Sequence, residues 1–88
     1  MQGLLRIGGR RMKKKEIKAA IGLYGYKMIG PSYFVSDSKE CCIFNAYDEH
    51  GVCWSWYVNW KSKRARTQML SDVQVLESRS VAHMFWKE

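Results

Sequence analysis

Val52-Cys53-Trp54-Ser55-Trp56-Tyr57-Val58-Asn59-Trp60 alternates throughout: Val52, Trp54, Trp56, Val58 and Trp60 fall on one side of an extended chain, and Cys53, Ser55, Tyr57 and Asn59 on the other. A period of two, with valine and tryptophan on one parity, is the signature of a half-buried strand in an antiparallel sheet. Upstream, Cys41 to Tyr47 reads as a partner strand, and Asp48-Glu49-His50-Gly51 as a four-residue turn with glycine last. Before that, Gly30-Pro31-Ser32 breaks the chain, and Tyr33-Phe34-Val35 is a short β-favouring run closed by Ser36-Asp37-Ser38.

The flanks change period. Ile17, Ala20, Ile21 and Tyr24 recur at helical spacing, with Lys13, Lys14 and Lys18 mostly on the opposite side and Gly25 placed as the stop, since glycine enters the left-handed region without a steric cost. Downstream of Trp60, Ser62 is placed to cap a basic helix running to about Leu70, with Ala65 and Met69 turned towards the sheet. Val73 and Val75 alternate as a short strand or continue that helix with Leu76. Val81 and Phe85 suggest a closing helical turn whose Phe85 and Trp86 cover the core. The expected fold is therefore α+β: an N-terminal helix packed on a three-stranded antiparallel sheet, with a C-terminal helical region. Residues 1–11, with Gly8-Gly9, read as a flexible basic segment, and 12–88 as a single small domain.

Composition narrows the classes of function. At 88 residues there is room for one core, and 47% hydrophobic residues exclude a chain too polar to fold. No apolar run approaches the roughly 18–20 residues of a membrane span, and Met1 to Arg11 lacks the apolar stretch of a secretory signal. A net charge of +7 excludes an acidic mimic of nucleic acid. That charge is clustered. Arg6, Arg10, Arg11, Lys13, Lys14, Lys15 and Lys18 face Glu16 alone in the first eighteen residues, and Lys61, Lys63, Arg64 and Arg66 follow the tryptophan-rich strand. Between them lies an acidic middle with Asp37, Glu40, Asp48 and Glu49. If the two basic clusters met on one face, they would form a field for a polyanion.

Cys41, Cys42 and Cys53 are an odd number of thiols, which fits a reducing, cytoplasmic setting. Cys42, His50 and Cys53 surround a turn but lack the paired C-x₂₋₄-C spacing of structural zinc, so neither a metal nor another cofactor is expected. No P-loop, dinucleotide fingerprint or zinc-protease motif is present. Asp48, Glu49 and His50 form an acidic–histidine cluster of the kind a metal-assisted or acid–base site would use, such as that of a small ribonuclease acting through His50. They are also ordinary turn residues, which is the reading preferred. A non-enzymatic protein is the expectation.

Tyr57 and Asn59 share the parity without tryptophan and run straight into Lys61-Ser62-Lys63-Arg64-Ala65-Arg66. Aromatic platforms for bases beside cations for phosphates are how single-stranded nucleic acid is held. The candidate interface is Arg10, Arg11, Lys13, Lys14 and Lys15 together with Tyr57, Asn59, Trp60, Lys61, Lys63, Arg64 and Arg66, with Trp60 as an interface aromatic beside the basic run. The order helix, three antiparallel strands, helix resembles in outline the double-stranded-RNA-binding fold and small RNA-targeting toxins. Lys61 to Arg66 is similar to the basic start of that fold's final helix, whereas Asn59-Trp60 replaces its glycine-rich approach. The partner expected is nucleic acid, RNA or DNA. A second class uses the same residues: Trp, Tyr, Met and Arg are enriched at protein–protein hot spots, which suits a small phage-type inhibitor or accessory protein docking on a larger protein or nucleoprotein complex.

Overall fold

The structure, a computed structural model, describes residues 11–34, 39–70 and 75–86. One helix, α1 (Lys14–Gly22), precedes five strands: β1 (Lys27–Phe34), β2 (Cys41–Tyr47), β3 (Cys53–Asn59), β4 (Arg64–Leu70) and β5 (Val75–Ser80). A single 3-10 turn (Ala82–Met84) follows them. The strands form one antiparallel sheet in the order β1-β2-β3-β4-β5, each paired with its neighbour in sequence.

The first half follows from local signals. Helix α1 begins where the Lys13 backbone N–H donates to Glu16 Oε1 at 2.8 Å, a carboxylate reaching back over the first turn. It is closed off past its end by Gly25, with φ +88: the Tyr26 N–H donates to the Ile21 carbonyl and the Gly25 N–H to that of Gly22, the two bonds of a Schellman stop. Strand β1 begins well before Tyr33. Rather than ending it, Gly30-Pro31 sits at a register shift between Ile29 and Tyr33, with Gly30 at φ +69. An edge strand tolerates this, because a proline there interrupts no ladder on its outer side.

The second half corrects the expected fold. Instead of three strands and a C-terminal helical region, there are five strands, and the region after β5 shrinks to one 3-10 turn. Ser62 caps no helix. Its own N–H is held by Asn59 Oδ1 at 2.8 Å, inside a tight Trp60–Lys63 connection in which Lys63 takes φ +57. Asn59 then pairs with Arg64 and the chain returns as a strand. Ala65 and Thr67 are buried while Arg64 and Arg66 are exposed, a period of two. Tertiary context overrides helix propensity here, because without β4 the tryptophan-bearing β3 would be an unpaired edge. With no α-helix after β3 among the described residues, the outline shared with the double-stranded-RNA-binding fold is lost.

The inner face of the sheet and α1 enclose the core. Trp56 lies at its centre, stacked on Phe44 (centroids 5.5 Å, 15°) and edge-on to Tyr26 and Phe85. Ile17, Ala20 and Ile21 of α1 cover one part of this face, and Val81, Met84 and Phe85 close another. The Thr67 hydroxyl, fully buried among them, donates to the Ser55 carbonyl at 3.0 Å. At the β5 edge, Arg79 lies 4.3 Å over the Trp54 ring and donates to the Tyr26 hydroxyl, holding the edge strand against the core. No helix among the described residues is long and apolar enough to cross a membrane.

Candidate nucleic-acid interface

Because side chains alternate along a strand, register alone assigns the outer face. Tyr57 stands opposite Ile43 on β2 and Arg66 on β4, and Arg66 opposite Ser80. One row along, Asn59 lies between Cys41 and Arg64; one row the other way, Ser55 lies between Asn45 and Gln68. A last row pairs Tyr47 with Lys27 and Cys53. No described element packs on this face. Its described strand residues include Lys27, Arg64 and Arg66 and no carboxylate.

The sequence-derived set divides accordingly. Tyr57, Asn59, Arg64 and Arg66 converge on the outer face, although the two arginines arrive on a strand and not on a helix. The Arg66 guanidinium lies 5.7 Å over the Tyr57 ring, and the Tyr57 hydroxyl is 3.2 Å from Cys41 Sγ. Asn59 uses its amide within the face: Nδ2 donates to Cys41 Sγ at 2.9 Å while Oδ1 holds the turn, so it shapes the site more than it offers a free edge. Lys61 and Lys63 are exposed in that turn. Tyr57, Arg64, Ala65, Arg66, Ser80 and Ala82 line an open groove of about 620 Å³. Ser80 and Ala82 escape the sequence reading because Val75 fits a strand or a helix and residues 80–86 read as a helical turn; a period-two reading through Ala65, Thr67 and Met69 finds β4, the strand beside β5.

The remaining candidates lie elsewhere. Trp60 is 1% exposed and packs edge-on against Phe85 and Trp86, so its ring belongs to the core and is no surface platform. Its parity, shared with Trp54 and Trp56, already said so. Lys13, Lys14 and Lys15 are exposed at the start of α1, which covers the inner face. These three lysines are thus separated from Arg64 and Arg66 by the sheet. Arg11 precedes that helix on the exposed surface, and Arg10 lies outside the described residues.

The thiols and the acidic turn have structural roles. Cys42, paired with Val58, is on the inner face, and Cys53, paired with Tyr47, on the outer, so the two cannot share one ion. Burial, with Cys41 beside it, pushes the Cys42 thiol up to about 12, far from a reactive thiolate. Asp48 organises its turn: the carboxylate accepts the His50 and Val52 N–H groups at 2.8 and 2.9 Å and the Trp54 indole N–H at 2.9 Å. These bonds, the indole's first, hold Asp48 below the usual carboxylate range. Glu49 and His50, 3.7 Å apart, are largely in solvent.

Comparison of the chain with protein-family models, with curated proteins and with solved structures finds no match.

Proposed function

We propose that this chain is a small, basic, non-enzymatic protein that binds nucleic acid, RNA or DNA, in the cytoplasm, through the outer face of its sheet and the β3–β4 turn. The observation that carries the reading is the register that sets Tyr57 beside Arg66 and Asn59 beside Arg64 on a face without carboxylates among its described strand residues. Lys61 and Lys63, both exposed, extend the cationic surface from the adjoining turn. A polyanion gains from such a patch by releasing counterions, whereas the lysines at the start of α1 add only to the long-range field.

Four phosphate contacts predict that log K falls with log salt with a slope of about −3, an affinity loss of about 60-fold between 50 and 200 mM. Changing Lys63, Arg64 and Arg66 together to alanine should weaken binding and bring the slope to about −1 in a fluorescence-anisotropy titration. A slope equal to that of the unaltered chain would remove these residues from the interface. If no nucleic acid binds, the reading left is a protein-docking accessory factor, for which Leu23 and Tyr24, 74% and 48% exposed side by side at the end of α1, are the apolar surface.

A further inference from the structure

Resting on the nucleic-acid reading above, we infer that the ligand is single-stranded and lies diagonally across the outer face on two tyrosine–cation pairs, Tyr57 with Arg66 and Tyr47 with Lys27. Both pairs are set by register on neighbouring strands: Arg66 opposite Tyr57 across β3–β4, and Lys27 opposite Tyr47 across β1–β2. Tyr47 is 42% exposed, an aromatic ring left in solvent for which the core has no use. Between the pairs runs a row of neutral hydrogen-bonding groups, Asn45, Ser55 and Gln68, suited to the edges of unpaired bases.

The dimensions favour a single strand. Five strands at about 4.8 Å make a face about 19 Å wide, which cannot enter a major groove about 12 Å across. Alternate residues along a strand are about 6.8 Å apart, twice the 3.4 Å rise of a stacked duplex strand. A chain that sets successive bases on successive rows is therefore unstacked, which a duplex cannot be. Tyr57 and Tyr47 are two rows apart, about 14 Å, a span that a few extended nucleotides bridge. Arg66 lies over the Tyr57 ring in the free protein; an exposed cation–π contact is weaker than a base–ring stack, so the guanidinium gives way and turns to the flanking phosphate.

The alternative is a duplex gripped by the tip of the β3–β4 turn, which would feel Lys61 and Lys63 and ignore both tyrosines. The test is an anisotropy titration at about 50 mM salt with a labelled oligonucleotide of about 12 nucleotides, as RNA and as DNA, single-stranded and annealed to its complement. Binding to the single strand at least about 10-fold tighter than to the duplex is expected. Tyr57→Leu and Tyr47→Leu should each weaken it by about 5-fold or more, the double change multiplying the two losses, with Tyr57→Phe within about 2-fold of the unaltered chain. Tyr47 is exposed, so its replacement leaves the fold intact and keeps the test decisive even if Tyr57→Leu misfolds. Equal or tighter binding of the duplex, or silence at either tyrosine in a folded variant, would overturn the inference while leaving nucleic-acid binding in place. Failure of every oligonucleotide to bind would defeat both readings together.

Discussion

The two faces of the sheet are made by the same strands, residue by alternate residue, yet they have little chemistry in common. Inside are Trp54, Trp56, Phe44 and Val58, each buried to within a few per cent, with Trp56 stacked on Phe44. Outside are Asn45, Ser55, Tyr57, Arg66 and Gln68, partly or fully in solvent. The inner residues are needed to close a thin core in a small domain. The outer ones have no such duty, and stability alone does not call for two tyrosines beside cations. A division of labour follows: substitutions on the inner parity should act on folding, and those on the outer parity on binding.

The sharpest way to break that division is at adjacent residues. Trp56→Ala removes the centre of the aromatic cluster and should cost about 3–5 kcal/mol, enough to leave a domain of this size largely unfolded at 37 °C. Tyr57→Leu, one residue on, gives up chiefly a hydrogen bond with the Cys41 thiol and should cost about 1 kcal/mol, a Tm shift of about 4–8 °C. Thermal denaturation followed by circular dichroism measures both. Equal losses at the two positions would mean that the outer face is structural after all.

The same contrast explains what could be read in advance. The span of β2 and the alternation of β3 were legible because apolar residues and period agree there, and Gly25 was legible as a stop because only one residue type suits that backbone. Strand β4 was not, because Lys63, Arg64, Ala65, Arg66, Gln68, Met69 and Leu70 are all good helix formers. Its period of two rests on small or polar residues, Ala65 and Thr67, whose burial depends on β3 needing a partner. Strand β5 was half legible: Val75 fits a short strand or a continued helix, and Glu77-Ser78-Arg79-Ser80 after it is polar on both parities. Of the site, Tyr57 and Asn59 followed from β3 alone. The convergence of Arg64 and Arg66 on them needed the hairpin, and Trp60 was misread where nearness in sequence to the basic run was allowed to outweigh parity.

Between the faces, the β3–β4 turn joins a folding duty to a binding one, and Lys63 carries both. Its φ of +57 is costly for any side chain with a Cβ and free for glycine. Lys63→Gly should therefore stabilise the domain by up to about 1 kcal/mol, while removing one phosphate contact and flattening the salt slope by about 0.7–0.9. A higher Tm with weaker, less salt-sensitive binding is the expected pair of results. A higher Tm with unchanged binding would detach Lys63 from the interface and confine the site to the strands.

The smallest effect is confined to acid. Asp48 joins the hairpin turn to the inner-face Trp54, and its carboxyl titrates below its ordinary 3.8 in the folded state. In the window between the two values the unfolded chain binds more protons than the folded one, so stability rises with pH there. The contribution is complete above about 3.8 and is lost as pH falls through the lower, folded value. Asp48→Asn keeps an acceptor for the indole but has no proton to take up. Its Tm should run parallel to that of the unaltered chain from neutral pH down to about 4.5 and fall less steeply below that. Parallel curves through the whole acid range would show that the bonds to the turn, and not the charge that receives them, are what couple Asp48 to the core.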